Sequence, residues 1–292
     1  MFFLVALIST LGYSLQSSLM TSYYRRIDRL SAVAFRGLSL GITMLPLLLF
    51  VSRRDFARLG DYIGPLAAAS LIAVAANWCM ANAYSHLPLG IASALTMSFT
   101  ALMTVVVGYF AFSEAMSLLQ LFFIALILAG VLFLGASRSK GRVPAEYNVR
   151  LGILNSLAFG LLIGVAFALI GSVSRKLDPF LAGYCWELTI GLMAGLTAAF
   201  RGLLGRTFLH RLSLRDALML TLYCAPTAVG TSFFALATTM GPIGIVSAIM
   251  SLILVCNTLL AIPLYKEKLS ATQWLLLLFV CCMIAGLRLS SS

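Results

Sequence analysis

The sequence predicts an all-α integral membrane protein of ten transmembrane helices, arranged as two inverted five-helix repeats around a central cavity. Three observations carry that prediction. First, 61% of the residues are hydrophobic and 10% charged, whereas soluble domains are about half apolar and about a quarter charged. Second, the apolar residues fall into ten runs near the roughly 20 residues that cross a bilayer core. Third, the chain repeats itself: Pro88-Leu-Gly-Ile-Ala-Ser-Ala94 returns as Pro242-Ile-Gly-Ile-Val-Ser-Ala248, and Glu114-Ala-Met-Ser117-Leu-Leu-Gln120 as Glu267-Lys-Leu-Ser270-Ala-Thr-Gln273.

The runs lie at 2–23, 31–51, 64–84, 88–111, 117–136, 151–173, 180–200, 216–239, 243–264 and 271–288. They divide the chain into a first repeat, 1–137, a connecting loop, 138–149, and a second repeat, 150–289. Five is odd, so the second repeat enters from the opposite membrane face, the arrangement of many carriers. The first run begins at Met1 without a basic leader and reads as a permanent span rather than a signal peptide.

Within each repeat the punctuation is physical. Proline fits the first helical turn, so Pro88 and Pro242 open the fourth and ninth spans. Ser-x-x-Gln is a capping box, so Ser117 and Ser270 open the fifth and tenth. Gly90, Ser93 and Ala94, like Gly244, Ser247 and Ala248, place small side chains on one face, where helices approach closely. In the sixth span Gly152, Ser156, Gly160, Gly164, Ala168 and Ser172 recur every four residues, a packing seam. Pro226 is expected to kink the eighth span.

The net charge of +11 sits in short clusters between apolar runs, which suits topology signals and lipid headgroups rather than nucleic acid. Arg and Lys concentrate after odd-numbered spans, as at Arg25, Arg26, Arg29, Arg138, Lys140 and Arg142, so charge counting puts both termini outside. The six cysteines lie inside apolar runs without metal-ligand spacing, and neither metal nor cofactor is implied. His86 and His210 stand at loop edges without acidic neighbours, which gives no constellation for an intramembrane enzyme.

Polar stripes locate the candidate cavity. Thr10, Tyr13, Ser14, Ser17 and Thr21 share one face of the first span, and Ser93, Thr96, Thr100 and Thr104 one face of the fourth. Asn77 in the third span aligns with Thr231 in the eighth, beside Thr227. Ser247, Ser251 and Thr258 mark the ninth, with Asn257 beside them. The substrate-binding candidates are Tyr13, Ser14, Ser17, Asn77, Ser93, Thr96, Thr100, Thr227, Thr231, Ser247 and Ser251. For any one of them a bond back to its own helix is the competing role. Arg36 and Glu187 are the charges inside spans and the candidates for gating or coupling. As repeat equivalents they are expected near opposite faces and unpaired, Arg36 snorkelling or holding a loop carbonyl. Glu187 either takes up protons from the cavity or meets Arg175 or Lys176. Glu114 and Glu267 are expected to play local roles in their turns.

Taken together, Arg36 after Ser31-Ala-Val-Ala-Phe35, the Pro88 and Pro242 openings and the Glu114 and Glu267 turns resemble the drug/metabolite transporter superfamily, in its EamA-like ten-helix branch. The resemblance covers essentially the whole chain. It implies a basket of helices around a cavity lined mainly by spans 1, 3, 4, 6, 8 and 9, alternating access, frequent export of amino acids or other metabolites, and cytoplasmic termini. The chain departs from the pattern with Leu11-Gly12-Tyr13 where Trp-Gly is common. The expected function is secondary transport of a small polar or amphipathic metabolite, without enzymatic activity, in a multi-pass plasma membrane protein (the inner membrane in a bacterium). Expected partners are a small-molecule substrate, membrane lipid and protons as a coupling ion, in a monomer or weak dimer. A channel or a non-transporting receptor on the same bundle is the alternative reading.

Overall fold

The computed structural model is built of helices, several of them opened by a side-chain cap at Asp28, Asn148, Asp178 or Ser213. It describes residues 1–114, 116–136, 148–204, 212–266 and 269–290; Glu267, His210, Arg138, Lys140 and Arg142 lie outside them. Among the described residues the ordered structure is helical: α1 (Phe2–Tyr24), α2 (Arg29–Thr43), a 3-10 turn (Leu45–Phe50), α3 (Arg53–Arg58), a second 3-10 turn (Leu59–Tyr62), α4 (Ile63–His86), α5 (Leu89–Phe112), α6 (Leu118–Ala136), α7 (Val149–Ser174), α8 (Pro179–Leu203), α9 (Leu214–Met240), α10 (Ile243–Met250), α11 (Leu252–Tyr265) and α12 (Ala271–Leu289).

Among the described residues, seven stretches are long and apolar enough to cross a membrane: Phe2–Tyr24, Arg53–His86, Leu89–Phe112, Val149–Ser174, Pro179–Leu203, Leu214–Met240 and Ile243–Tyr265. The apolar helices Leu118–Leu134 and Ala271–Leu287 are shorter. The run expected at 31–51 is not one α-helix. Its α-helical part stops at Thr43, because Pro46 lacks the N–H that would bond the carbonyl of Ile42, and the chain tightens into the 3-10 turn. The run expected at 243–264 breaks at Ser251 into α10 and α11.

The repeated punctuation is repeated in geometry. Both capping boxes form: the Ser117 and Ser270 amides donate to Gln120 and Gln273 Oε1 at 2.9 and 2.8 Å, and each glutamine amide donates to its serine hydroxyl at 3.2 Å. Pro88 and Pro242 sit at the N-cap, one residue before the first helical turn. Asp28 caps α2 and Asp178 caps α8. Ser113 and Lys266 both end their helices in the left-handed region, at φ 52° and 54°, a conformation non-glycine residues rarely adopt. Arg25 Nε donates to the Tyr84 carbonyl at 3.2 Å and Arg175 Nε to the Thr238 carbonyl at 2.8 Å, each tying a helix end to the turn before a proline-opened helix.

The closest helix pairings join the segment before residue 137 to the segment after residue 150. α4 and α5 pack on α7, α1 on α9, α2 on α8, and α6 on α12. Small residues make these approaches possible. A Cβ on Gly12 would lie 2.5 Å from the Pro226 carbonyl of α9, and one on Gly37 would overlap the Gly191 backbone of α8. The seam of α7 packs as expected: Gly160 faces Phe99 and Thr100, and Gly164 faces Met103 and Thr104 of α5. Membrane helices associate through such packing because lipid offers no hydrophobic drive between them.

Candidate functional site

The site is built around the crossing of α2 and α8. Asp28 lies opposite Arg201, Gly37 opposite Gly191, Gly41 opposite Leu188 and Met44 opposite Gly183, so the two helices run antiparallel. Beside the Gly37–Gly191 approach, Arg36 and Glu187 form a bidentate ion pair. Nη1 donates to Oε2 at 2.9 Å and Nη2 to Oε1 at 3.0 Å, with the side chains 5% and 1% exposed. Thr231 Oγ1 adds a third donor to Glu187 Oε1 at 2.6 Å, and the Tyr13 hydroxyl lies 2.8 Å from Thr231 Oγ1. Charges taken out of water survive when paired and further hydrogen-bonded, and here four helices supply the partners.

This overturns the expectation that Arg36 and Glu187 stay apart and that Glu187 meets Arg175 or Lys176. Arg175 instead binds Glu114, at 2.5 Å. Glu114 is likewise more than a turn residue: Oε1 accepts from the Ile243 amide at 3.0 Å and Oε2 from the Gly244 amide at 3.4 Å. It caps α10, the first turn of the other half's proline-opened helix.

Next to the Arg36–Glu187 pair lies a cavity of about 50 Å³, room for a few waters. Its polar wall is Tyr13, Gln16, Ser17, Arg36, Asn77 and Glu187; the rest is apolar and aromatic, including Met80, Met97, Phe159, Phe167, Trp186 and Met250. Its lining side chains are buried, Tyr13 being only partly so. Phe167 anchors the aromatic wall, 5.8 Å from Trp186 and 4.4 Å from Phe234 between ring centroids.

The candidates separate into four groups. Tyr13, Ser17, Asn77, Arg36 and Glu187 line the cavity, and Thr231 holds two of them. Asn77 also donates to the Ala73 carbonyl at 2.8 Å, fixing its amide on its own helix. Ser14 and Ser93 stand just outside, on Asn257. Asn257 Oδ1 accepts from Ser14, Ser17 and Ser18 at 2.8, 3.0 and 3.0 Å, and Nδ2 donates to Ser93 at 2.7 Å. Thr96 and Thr100 bond back to the carbonyls of Ala92 and Thr96, the local role. Thr227, Ser247 and Ser251 are buried but are not among the lining residues, and their hydroxyls have no hydrogen-bond partner among the described residues.

The cavity's helices also differ from those the resemblance implied. α2 and α8, in the second and seventh of the expected runs, contribute Arg36, Trp186 and Glu187, while α9 contributes through Thr231 rather than by lining. The apolar wall was missed because a cavity-facing methionine or phenylalanine reads like any lipid-facing one. Gln16 was legible, lying three residues after Tyr13 on the same stripe.

The comparisons with known proteins point the same way. Residues 1–136 match the sequence model described as the EamA-like transporter family. No curated protein matches the chain. Among solved structures, a crystal structure described only as that of a protein superposes with a TM-score of 0.69 at 16% identity, covering 100% of this chain and 96% of the other, a likeness of fold alone.

Proposed function

We propose that this chain, whose residues 1–136 match the EamA-like transporter family, is a secondary transporter that exports a small polar or amphipathic metabolite, such as an amino acid, by alternating access. The observation that carries the reading is the buried cavity with a charged pair in its wall, Arg36 from one half of the chain and Glu187 from the other. Substrate binds there, its polar groups at Tyr13, Asn77 and the ion pair and its apolar part against Phe159, Phe167 and Trp186.

The surrounding architecture in this reading is ten crossings in two inverted repeats, 1–137 and 150–289. The duplicated capping boxes, aspartate caps, arginine ties and left-handed helix ends support it. Rocking of one half on the other along the glycine crossings exposes the cavity to each side in turn. Both termini are cytoplasmic, so a reporter that is active only in the cytoplasm gives signal when fused after Ser292; a stable but silent fusion reverses the assignment.

Purified protein in proteoliposomes preloaded with a candidate metabolite tests the transport reading by counterflow. A carrier shows saturable uptake of labelled substrate that internal unlabelled substrate accelerates. Uptake linear in concentration and indifferent to internal substrate marks a channel and overturns it.

A further inference from the structure

A second site lies on the flank of the molecule, away from the central cavity. A lateral groove of about 610 Å³ opens between α4, the start of α2 and the end of α8. Its wall is apolar: Leu71 is 59% and Trp78 44% exposed, with Val74 between them. Its rim is polar and cationic, with Arg29, Asn82 and Arg201 at one end. These side chains are incompletely engaged. Arg29 Nη2 donates to Ser85 Oγ at 3.3 Å while its buried Nε has no partner among the described residues. Arg201 Nη1 stands 3.9 Å from Asp28 Oδ1, and the other carboxylate oxygen of Asp28 is committed to the Ser31 amide that it caps.

The dimensions single out the occupant. From Asn82 at the rim to Leu71 at the foot of the wall, α4 descends 11 residues, about 16 Å at 1.5 Å per residue. Half the hydrocarbon thickness of a bilayer is about 15 Å. Trp78 sits one turn below the rim, at the depth where indoles meet the lipid glycerol region. A cationic mouth over an apolar wall of that length matches one phospholipid, its phosphate between Arg29 and Arg201 and an acyl chain along Leu71, Val74 and Trp78. Two guanidinium groups against a single, already engaged carboxylate favour a headgroup with net negative charge.

We propose that the α4–α8 groove is a binding site for an anionic phospholipid. The site is independent of the transport reading. Full-length protein in neutral detergent is titrated with phosphatidylglycerol, with phosphatidylcholine of the same acyl chains, and with inorganic phosphate, and its thermal midpoint and lipid occupancy by native mass spectrometry are recorded. Phosphatidylglycerol binds more tightly than phosphatidylcholine, and phosphate alone does nothing. Each arginine near the interface contributes about fivefold to that preference, so Arg201→Gln lowers it about fivefold and Arg29→Gln/Arg201→Gln removes it. Should Arg29→Gln fold poorly through loss of Ser85, Arg201→Glu decides alone by abolishing the preference. Equal binding of the two lipids by the native chain, an undiminished preference in Arg201→Gln and Arg201→Glu, or a phosphate effect matching that of the lipid each overturns the assignment.

Discussion

Replacing Glu187 by Met strands the Arg36 guanidinium in a pocket where its side chain is 5% exposed, with both of its charge-assisted bonds gone. Breaking a buried pair by removing one partner costs about 3–5 kcal/mol, because the surviving charge is uncompensated. Arg36→Met costs the same order, leaving Glu187 with Thr231 as its remaining donor. Replacing both together removes both desolvation penalties, and such double replacements are neutral or stabilising by about 1–4 kcal/mol. Thermal or denaturant unfolding of the four proteins in detergent gives the coupling energy, and counterflow in proteoliposomes gives transport. The expected pattern is two unstable singles and a stable double variant that carries no substrate. Singles that each lose less than about 1 kcal/mol refute the energetic reasoning. A stable double variant that transports at the native rate refutes any role of the pair beyond holding α2 to α8.

The other predictions concern separate parts of the bundle. Asn77→Leu gives up one bond to its own helix and changes the cavity wall, so transport falls at least tenfold while the thermal midpoint moves little; equal losses in both assign Asn77 to stability alone. Asn257→Ala removes four buried contacts, and at about 0.6 kcal/mol for an average membrane hydrogen bond it lowers stability by roughly 2 kcal/mol in denaturant titration. Gly164→Leu sets a Cβ 2.7 Å from Met103 Cβ and 3.0 Å from the Thr100 carbonyl. Backbone cannot step aside as a side chain would, so overpacking costs about 1–3 kcal/mol and slows transport, whereas Gly195→Leu, facing open space, leaves both unchanged.

Helix ends were the most legible part of the fold, because capping is local chemistry: Ser117-x-x-Gln120 and Ser270-x-x-Gln273 need no tertiary information. The seam of α7 was legible for a similar reason, since only glycine admits a backbone at Gly160 and Gly164. The Arg36–Glu187 pair was not. In the inverted duplication that the sequence predicts, equivalent residues separate in depth in proportion to their distance from the point where their helices cross. Gly37 facing Gly191 and Gly41 facing Leu188 put the mutual crossing near Ser39 and Ile190, three residues from the pair. That displacement amounts to about 9 Å of axial offset at 1.5 Å per residue, which an arginine and a glutamate span together. The register of α2 on α8 sets this distance, and helical periodicity says nothing about register. For the hydroxyl stripes the limit was different: spacing placed Thr96 and Thr100 on one face correctly, but each hydroxyl chose its own helix's carbonyl.

Glu114 places a clock on biosynthesis. Its carboxylate is completed by Arg175 and by the amide of Ile243, which is 129 residues further along the chain. At about 5–20 residues per second, the ribosome needs roughly ten seconds after making Glu114 to deliver that amide. Arg175 follows Glu114 by 61 residues and arrives about halfway through that interval, whereas the Ile243 amide that completes the site arrives last, after α7 and α9 have been made. Insertion of the early helices and consolidation of the molecule are therefore separate events in time, and the second waits for the carboxyl-terminal half to leave the ribosome.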